Sequence, residues 1–183
     1  RSRHSRSFLL LEKDDVLILD CLHGLYEEMT KTLPEEKTFK VYVETLSQIK
    51  DDYGRFIRWS DIRMMRRMIR DMEFRNYKPG QTLLHWNLVR RSELRYIISR
   101  IKYADVIVNS FFPSELPIWK KRLAPLFPQF IEDLRGEAER EDALERAERC
   151  KQLLDSLPEI EDESLIPSDS LLREFMGSSI YDY

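Results

Sequence analysis

The sequence predicts an α/β fold built on a parallel sheet, and three observations lead there. Two short apolar runs, residues 15–20 (Asp15-Val16-Leu17-Ile18-Leu19-Asp20) and 104–109 (Ala104-Asp105-Val106-Ile107-Val108-Asn109), read as strands covered on both faces, as parallel strands usually are. Between them, Phe39-Lys40-Val41-Tyr42-Val43 alternates and is rich in β-branched and aromatic residues. Helical periodicity fills the intervals and the rest of the chain, the alternation that lays helices against such a sheet.

Taken in order, the first strand ends in an acid, Asp20, and runs into a turn holding Cys21, His23 and Gly24. After the second strand, Ser60 is a natural N-cap with Asp61 in the first helical turn. On a helical wheel, Ile62, Met64, Met65, Met68, Ile69 and Met72 fall on one side. Arg63, Arg66, Arg67 and Arg70 fall within roughly 100° of arc on the other. Four guanidinium groups in one stripe repel one another unless an anion sits among them or Asp71 and Glu73 pair with them. Lys78-Pro79-Gly80 breaks the pattern, and a shorter helical stretch follows from Thr82 to Trp86. Residues 114–134 read as one or two helices interrupted at Pro117, Pro125 and Pro128. Residues 137–157 form an amphipathic helix docking through Leu144, Ala147, Leu154 and Leu157, residues 158–167 an acidic linker, and residues 168–176 a last capped helix. Trp86 and Trp119 read as core or interface aromatics.

The net charge of -3 conceals a strong polarity along the chain. Residues 55–102 carry 13 Lys/Arg against 4 Asp/Glu, whereas residues 132–163 carry 13 Asp/Glu against 5 Lys/Arg. So basic a middle points to an anionic ligand, and the acidic last third argues against a general nucleic-acid binder. No apolar run approaches the ~20 residues of a membrane span. The basic start Arg1-Ser2-Arg3-His4-Ser5-Arg6 precedes too short an apolar stretch to be a secretory signal. Cys21 and Cys150 lack metal-like spacing and read as free thiols in a reducing cytoplasm.

Four stretches, in this order, resemble the uridine kinase and phosphoribulokinase group of P-loop kinases, most of all its uridine-kinase-related bacterial members. Val16-Leu17-Ile18-Leu19-Asp20-Cys21-Leu22-His23-Gly24-Leu25 is similar to that group's strand followed by Glu-Gly-Ile-His-Gly-Leu. Arg63-x-x-Arg66-Arg67-x-x-Arg70-Asp71-x-x-x-Arg75 resembles its lid helix, here residues 60–76. Tyr103-Ala104-Asp105-Val106-Ile107-Val108-Asn109-Ser110 is similar to the strand after the lid, and residues 166–176 resemble the carboxyl end. The resemblance implies a P-loop NTPase-like parallel sheet with flanking helices over residues 1–135, truncated on its N-terminal side, with a C-terminal helical extension over 136–183. It also implies ATP and Mg²⁺ as cofactors and a nucleoside-type acceptor. Arg67 and Arg70 would act in catalysis on the ATP phosphates, within a cofactor-binding set of Arg63, Arg66, Arg67 and Arg70. Arg75 and His23 would face the acceptor, and Asp20 would hold Mg²⁺.

The phosphate-cradling Gly-x-x-x-x-Gly-Lys-Ser/Thr is absent from a sequence whose five glycines are Gly24, Gly54, Gly80, Gly136 and Gly177. The expectation is a kinase fragment with negligible turnover by itself, whose open sheet edge leaves room for a homo-oligomer. Asp20-Cys21 replaces Glu-Gly, Asn76-Tyr77 replaces Gly-Arg, Ser92 replaces Gly, and Ser99-Arg100 replaces Pro-Phe. These departures bear on uridine as the acceptor and leave the arginine stripe intact. Two other readings are a non-catalytic nucleotide- or partner-binding module and an RNA-binding module using residues 55–102.

Overall fold

In the computed structural model, residues 9–160 and 162–182 are described, with the backbone alone at 138. The basic start, His4 and Phe8 lie outside them. The element order is α1 (Glu27–Thr30), β1 (Val41–Glu44), α2 (Trp59–Arg75), α3 (Pro79–Tyr96), β2 (Val106–Asn109), α4 (Glu115–Leu123), α5 (Phe127–Leu134), α6 (Glu141–Ser156) and α7 (Arg173–Met176), with short 3₁₀ turns between several of them. β1 and β2 pair in parallel, in the register Val41↔Val106 through Glu44↔Asn109. The expected parallel α/β arrangement is therefore present as a two-stranded sheet with flanking helices.

The expected strand at residues 15–20 is not formed. Its residues join no ladder, and Val16 and Ile18 are each 84% exposed. An apolar run gains from strand pairing only when a neighbour takes its hydrogen bonds and helices cover its faces. Among the described residues neither condition is met here.

α2 is the packing centre, with α3, α4 and α7 all against it. Ile62, Met64, Met65, Met68 and Ile69 are buried as the wheel requires, whereas Met72 lies near the helix end and is exposed. The helix whose resemblance implies a lid is thus surrounded by structure. Its start also differs from expectation: Arg58 is the N-cap residue, with no side-chain cap, and Ser60 lies one residue inside. Its end is sharp because Asn76 adopts a left-handed conformation (φ 48°) and the Tyr77 N–H donates to the Asp71 carbonyl at 3.0 Å.

The break at residues 78–80 is shorter than the composition suggests. Pro79 opens α3, where its missing N–H is no loss, and the helix runs to Tyr96. Gly80 packs closely there, since a Cβ would come to 3.2 Å from the Phe130 ring and the ring would have to shift slightly. The later prolines start elements more than they interrupt them. Pro117 sits in the first turn of α4, Pro125 in a 3₁₀ turn and Pro128 in the first turn of α5.

α6 docks on α3, α4 and α5 through Ala143, Ala147, Cys150 and Leu154, which belong to the same core as α2. Two of its arginines hold it in place: Arg146 donates to the Leu83 carbonyl at 2.9 Å, and Arg149 pairs with Asp61 at 2.9 Å. Both cysteines are free, Cys21 exposed and Cys150 buried, and burial pushes the Cys150 thiol well up. The expected acidic linker is tied down at Glu163, which Arg122 grips at 2.7 and 3.1 Å.

That grip predicts an acid sensitivity. The Arg122 hydrogen bond holds the Glu163 carboxyl below its usual range. A depressed acid stabilises the fold above its unfolded pKa and loses that contribution as pH falls through the folded one. The urea midpoint should therefore decline from about pH 4.3 downward, and Glu163→Gln should flatten that part of the profile. An unchanged profile in the variant would show that Glu163 contributes nothing to it.

Candidate functional site

Parallel strands present their carboxyl ends as the usual place for a ligand crevice, and a cavity of about 210 Å³ opens there. Val43, Glu44 and Thr45 line it from the end of β1, and Ser110 from just beyond β2. Arg63, Arg66, Arg67 and Arg70 line it from α2, and Trp86 and Glu93 from α3. One helix face thus delivers all four stripe arginines to one place, as the wheel implies.

The four differ in what they are free to do. Arg66 is spent on the protein. Its Nε and Nη2 grip both oxygens of Glu115, one of them at 3.0 Å, while Nη1 donates to Thr45 Oγ1 at 2.8 Å and Ser110 Oγ at 3.2 Å. Its Nη2 also donates to the Ser110 carbonyl. The side chains of Arg66 and Glu115 are 7% and 0% exposed. Burial raises the Glu115 carboxyl, and the Arg66 hydrogen bonds pull it back. This pair ties the ends of both strands to α2 and α4.

Arg63 bridges two buried acids, Glu44 at 3.0 Å and Glu93 at 2.9 Å. Glu44 also accepts from the Tyr42 hydroxyl at 2.9 Å, and burial pushes the Tyr42 pKa far up. Arg70 reaches Glu174 at 3.3 Å, while its Nε is buried without an acceptor. Arg67 is the least committed of the four, 3.4 Å from Asp71 and with a side chain 41% exposed. The stripe is therefore neutralised mainly from within the protein. Asp71 pairs with Arg67 and Arg75 as the sequence allows, whereas Glu73 turns instead to Arg122.

A second cavity, about 290 Å³, is lined by Arg67, Asp71, Arg75, Tyr77, Gln81, Thr82, His85 and Val89. Arg67 adjoins both cavities, and Arg75 faces only the second. Thr82 Oγ1 donates to Asp71 at 2.9 Å and Arg75 holds the other oxygen at 2.9 Å, so this acid on the wall of the second cavity is fixed.

The remaining sequence candidates lie elsewhere. Asp20 and His23 are exposed and line neither cavity. Among the described residues no group of three or more His, Cys, Asp or Glu is arranged to hold a metal ion. Sequence reasoning missed Glu44, Glu93, Glu115 and Trp86. The resemblance points to Asp20, an acid closing an apolar run, whereas the acid that the fold brings to the arginines is Glu44, which closes β1.

Among the described residues no helix is long and apolar enough to cross a membrane. No curated protein and no solved structure matches the chain. A model of the phosphoribulokinase/uridine kinase family matches residues 3–116. That match takes in both strands, the arginine helix and the lining of both cavities apart from Phe175, and with it the chain belongs to the phosphoribulokinase/uridine kinase family of kinases.

Proposed function

We propose that this chain supplies the phosphate-neutralising arginines of an ATP-dependent kinase that phosphorylates a hydroxyl of a nucleoside-type acceptor. The observation that carries the reading is the convergence of Arg63, Arg67 and Arg70 on one cavity at the carboxyl ends of the parallel strands. Phosphoryl transfer asks little covalent chemistry of a protein. It needs positioning and opposite charge placed where charge moves. Arg67 and Arg70 carry that role, since their donors are the least committed. Arg63 adds charge while holding Glu44 and Glu93. Arg66 becomes a positioning residue, because the protein already occupies its donors.

The second cavity takes the acceptor, with Arg75 beside it and Tyr77, Gln81 and His85 offering ring and polar contacts. A phosphoryl group passing between the cavities stays next to Arg67 throughout. His23, exposed and away from both cavities, is left without a role in this account. ATP fits because its phosphates are the anions such a cavity suits. Mg²⁺, which the family's ATP brings, does not fit here beside the arginines. Glu44 and Glu93 are bound to Arg63, and Asp20, the carboxylate the family likeness assigns to the ion, is exposed outside both cavities. A cytoplasmic setting is consistent with two free thiols.

A bisubstrate ligand, adenosine and uridine joined through four phosphates, tests the two-cavity arrangement. It should bind at least about tenfold more tightly than ATP, because engaging the second cavity becomes intramolecular. Arg67→Ala should remove most of that advantage, and Arg75→Ala should weaken the bisubstrate ligand while sparing ATP. Equal affinities for the two ligands would contradict the reading.

A further inference from the structure

Two residues that line the first cavity each carry a buried donor without an acceptor among the described residues. Trp86 is 3% exposed, and its indole Nε1 has no hydrogen-bond partner among the described residues. The Nε of Arg70 is in the same condition. Both residues line the 210 Å³ cavity, and they come from different helices, α3 and α2. Buried N–H groups are nearly always satisfied, because leaving one dry forfeits its hydration with no return. Two such groups at one cavity, beside the least committed arginine of the stripe, call for an acceptor that is not a protein atom.

We propose that Trp86 is a ligand-binding residue whose indole N–H donates to a non-bridging oxygen of a phosphoryl group, with Arg70 Nε serving a second oxygen of the same group. The inference rests on the phosphate reading above and deepens it by naming a contact and the shape of the anion. Donors arriving from two helices, with Arg67 as a third, suit a tetrahedral group with several terminal oxygens better than a flat carboxylate with two. Glu44 and Glu93 on the cavity wall do not oppose this, since Arg63 bridges both. The indole also sets a polarity rule. It donates and cannot accept, so the cavity favours anions with bare oxygens.

The test uses the whole chain and inorganic pyrophosphate. The protein has three tryptophans, hence three indole N–H signals in a ¹⁵N–¹H correlation spectrum, and the Trp86 signal is identified by its loss in Trp86→Phe. Pyrophosphate should move the Trp86 signal further than those of Trp59 and Trp119. Trp86→Phe keeps a six-membered aromatic ring and removes the N–H, so it should lower pyrophosphate affinity about tenfold, the typical share of one hydrogen bond to a charged group. If pyrophosphate binds and Arg70→Ala weakens it, yet the Trp86 signal stays still and Trp86→Phe binds as tightly, the indole contact is wrong and the phosphate reading survives. Water then satisfies the indole. If pyrophosphate does not bind, or binds equally to the Arg67→Ala/Arg70→Ala double variant, the phosphate reading fails and this inference with it.

Discussion

Glu115→Ala should cost about 3–5 kcal/mol of folding stability, the range for removing one member of a buried ion pair. For a chain of this length that is a drop in Tm on the order of 10 °C. The reason is the state left behind. Glu115 accepts from two nitrogens of Arg66, and both side chains are almost wholly out of water. Without the carboxylate, Arg66 keeps its charge in the interior with Thr45, Ser110 and the Phe175 ring as neutral partners. The guanidinium cannot shed its proton at neutral pH, so the penalty falls on the fold. Replacing both members together, Arg66→Met with Glu115→Leu, should recover most of the loss, since no uncompensated charge remains. Urea unfolding of the three variants reads this directly. A Glu115→Ala cost below about 1 kcal/mol would mean that water reaches the pair and that it behaves as a surface ion pair.

How much of this was legible in the residues depends on the range of the signal. The 3.6-residue period of α2 is local, so the wheel places Ile62, Met65 and Ile69 in the core and gathers the arginines on one face. The strands at 41–44 and 106–109 show as two β-rich runs separated by helices, and their pairing with each other comes from the fold. The partners of the arginines are a different matter. Glu115 lies 49 positions from Arg66, and Glu174 lies 104 from Arg70. No periodicity connects such residues, and only the fold brings them together. For that reason a stripe whose sequence offers only Asp71 and Glu73 as nearby partners proves to be paired largely with distant acids. Residues 15–20 fail in the opposite sense. Their apolar run is a strong strand signal, but a strand exists only with a neighbour, and composition does not say whether one is present. Pro79 shows a third case, where a residue that breaks a helix interior makes a good helix start, so Lys78-Pro79-Gly80 reads as a longer gap than the structure has.

The second large effect concerns ligand binding. Arg67→Ala with Arg70→Ala should lower affinity for tripolyphosphate at least about a hundredfold, because each hydrogen-bonded charge contributes about 1.5–3 kcal/mol and each 1.4 kcal/mol is tenfold. Stability should hardly change. Arg67 is partly exposed and its contact with Asp71 is long, and Arg70 meets Glu174 at 3.3 Å near the surface. Asp71 keeps Arg75 and Thr82 as partners when Arg67 is removed. The same change at Arg66 would unfold the site, so only Arg67 and Arg70 separate binding from folding.

Isothermal titration of tripolyphosphate into the wild-type chain and into this double variant is the most direct measurement of the account. Saturable one-to-one binding by the wild type, lost in a double variant that unfolds at the same urea concentration, is the predicted result. No saturable binding by the wild type, or equal binding by a folded double variant, would contradict it.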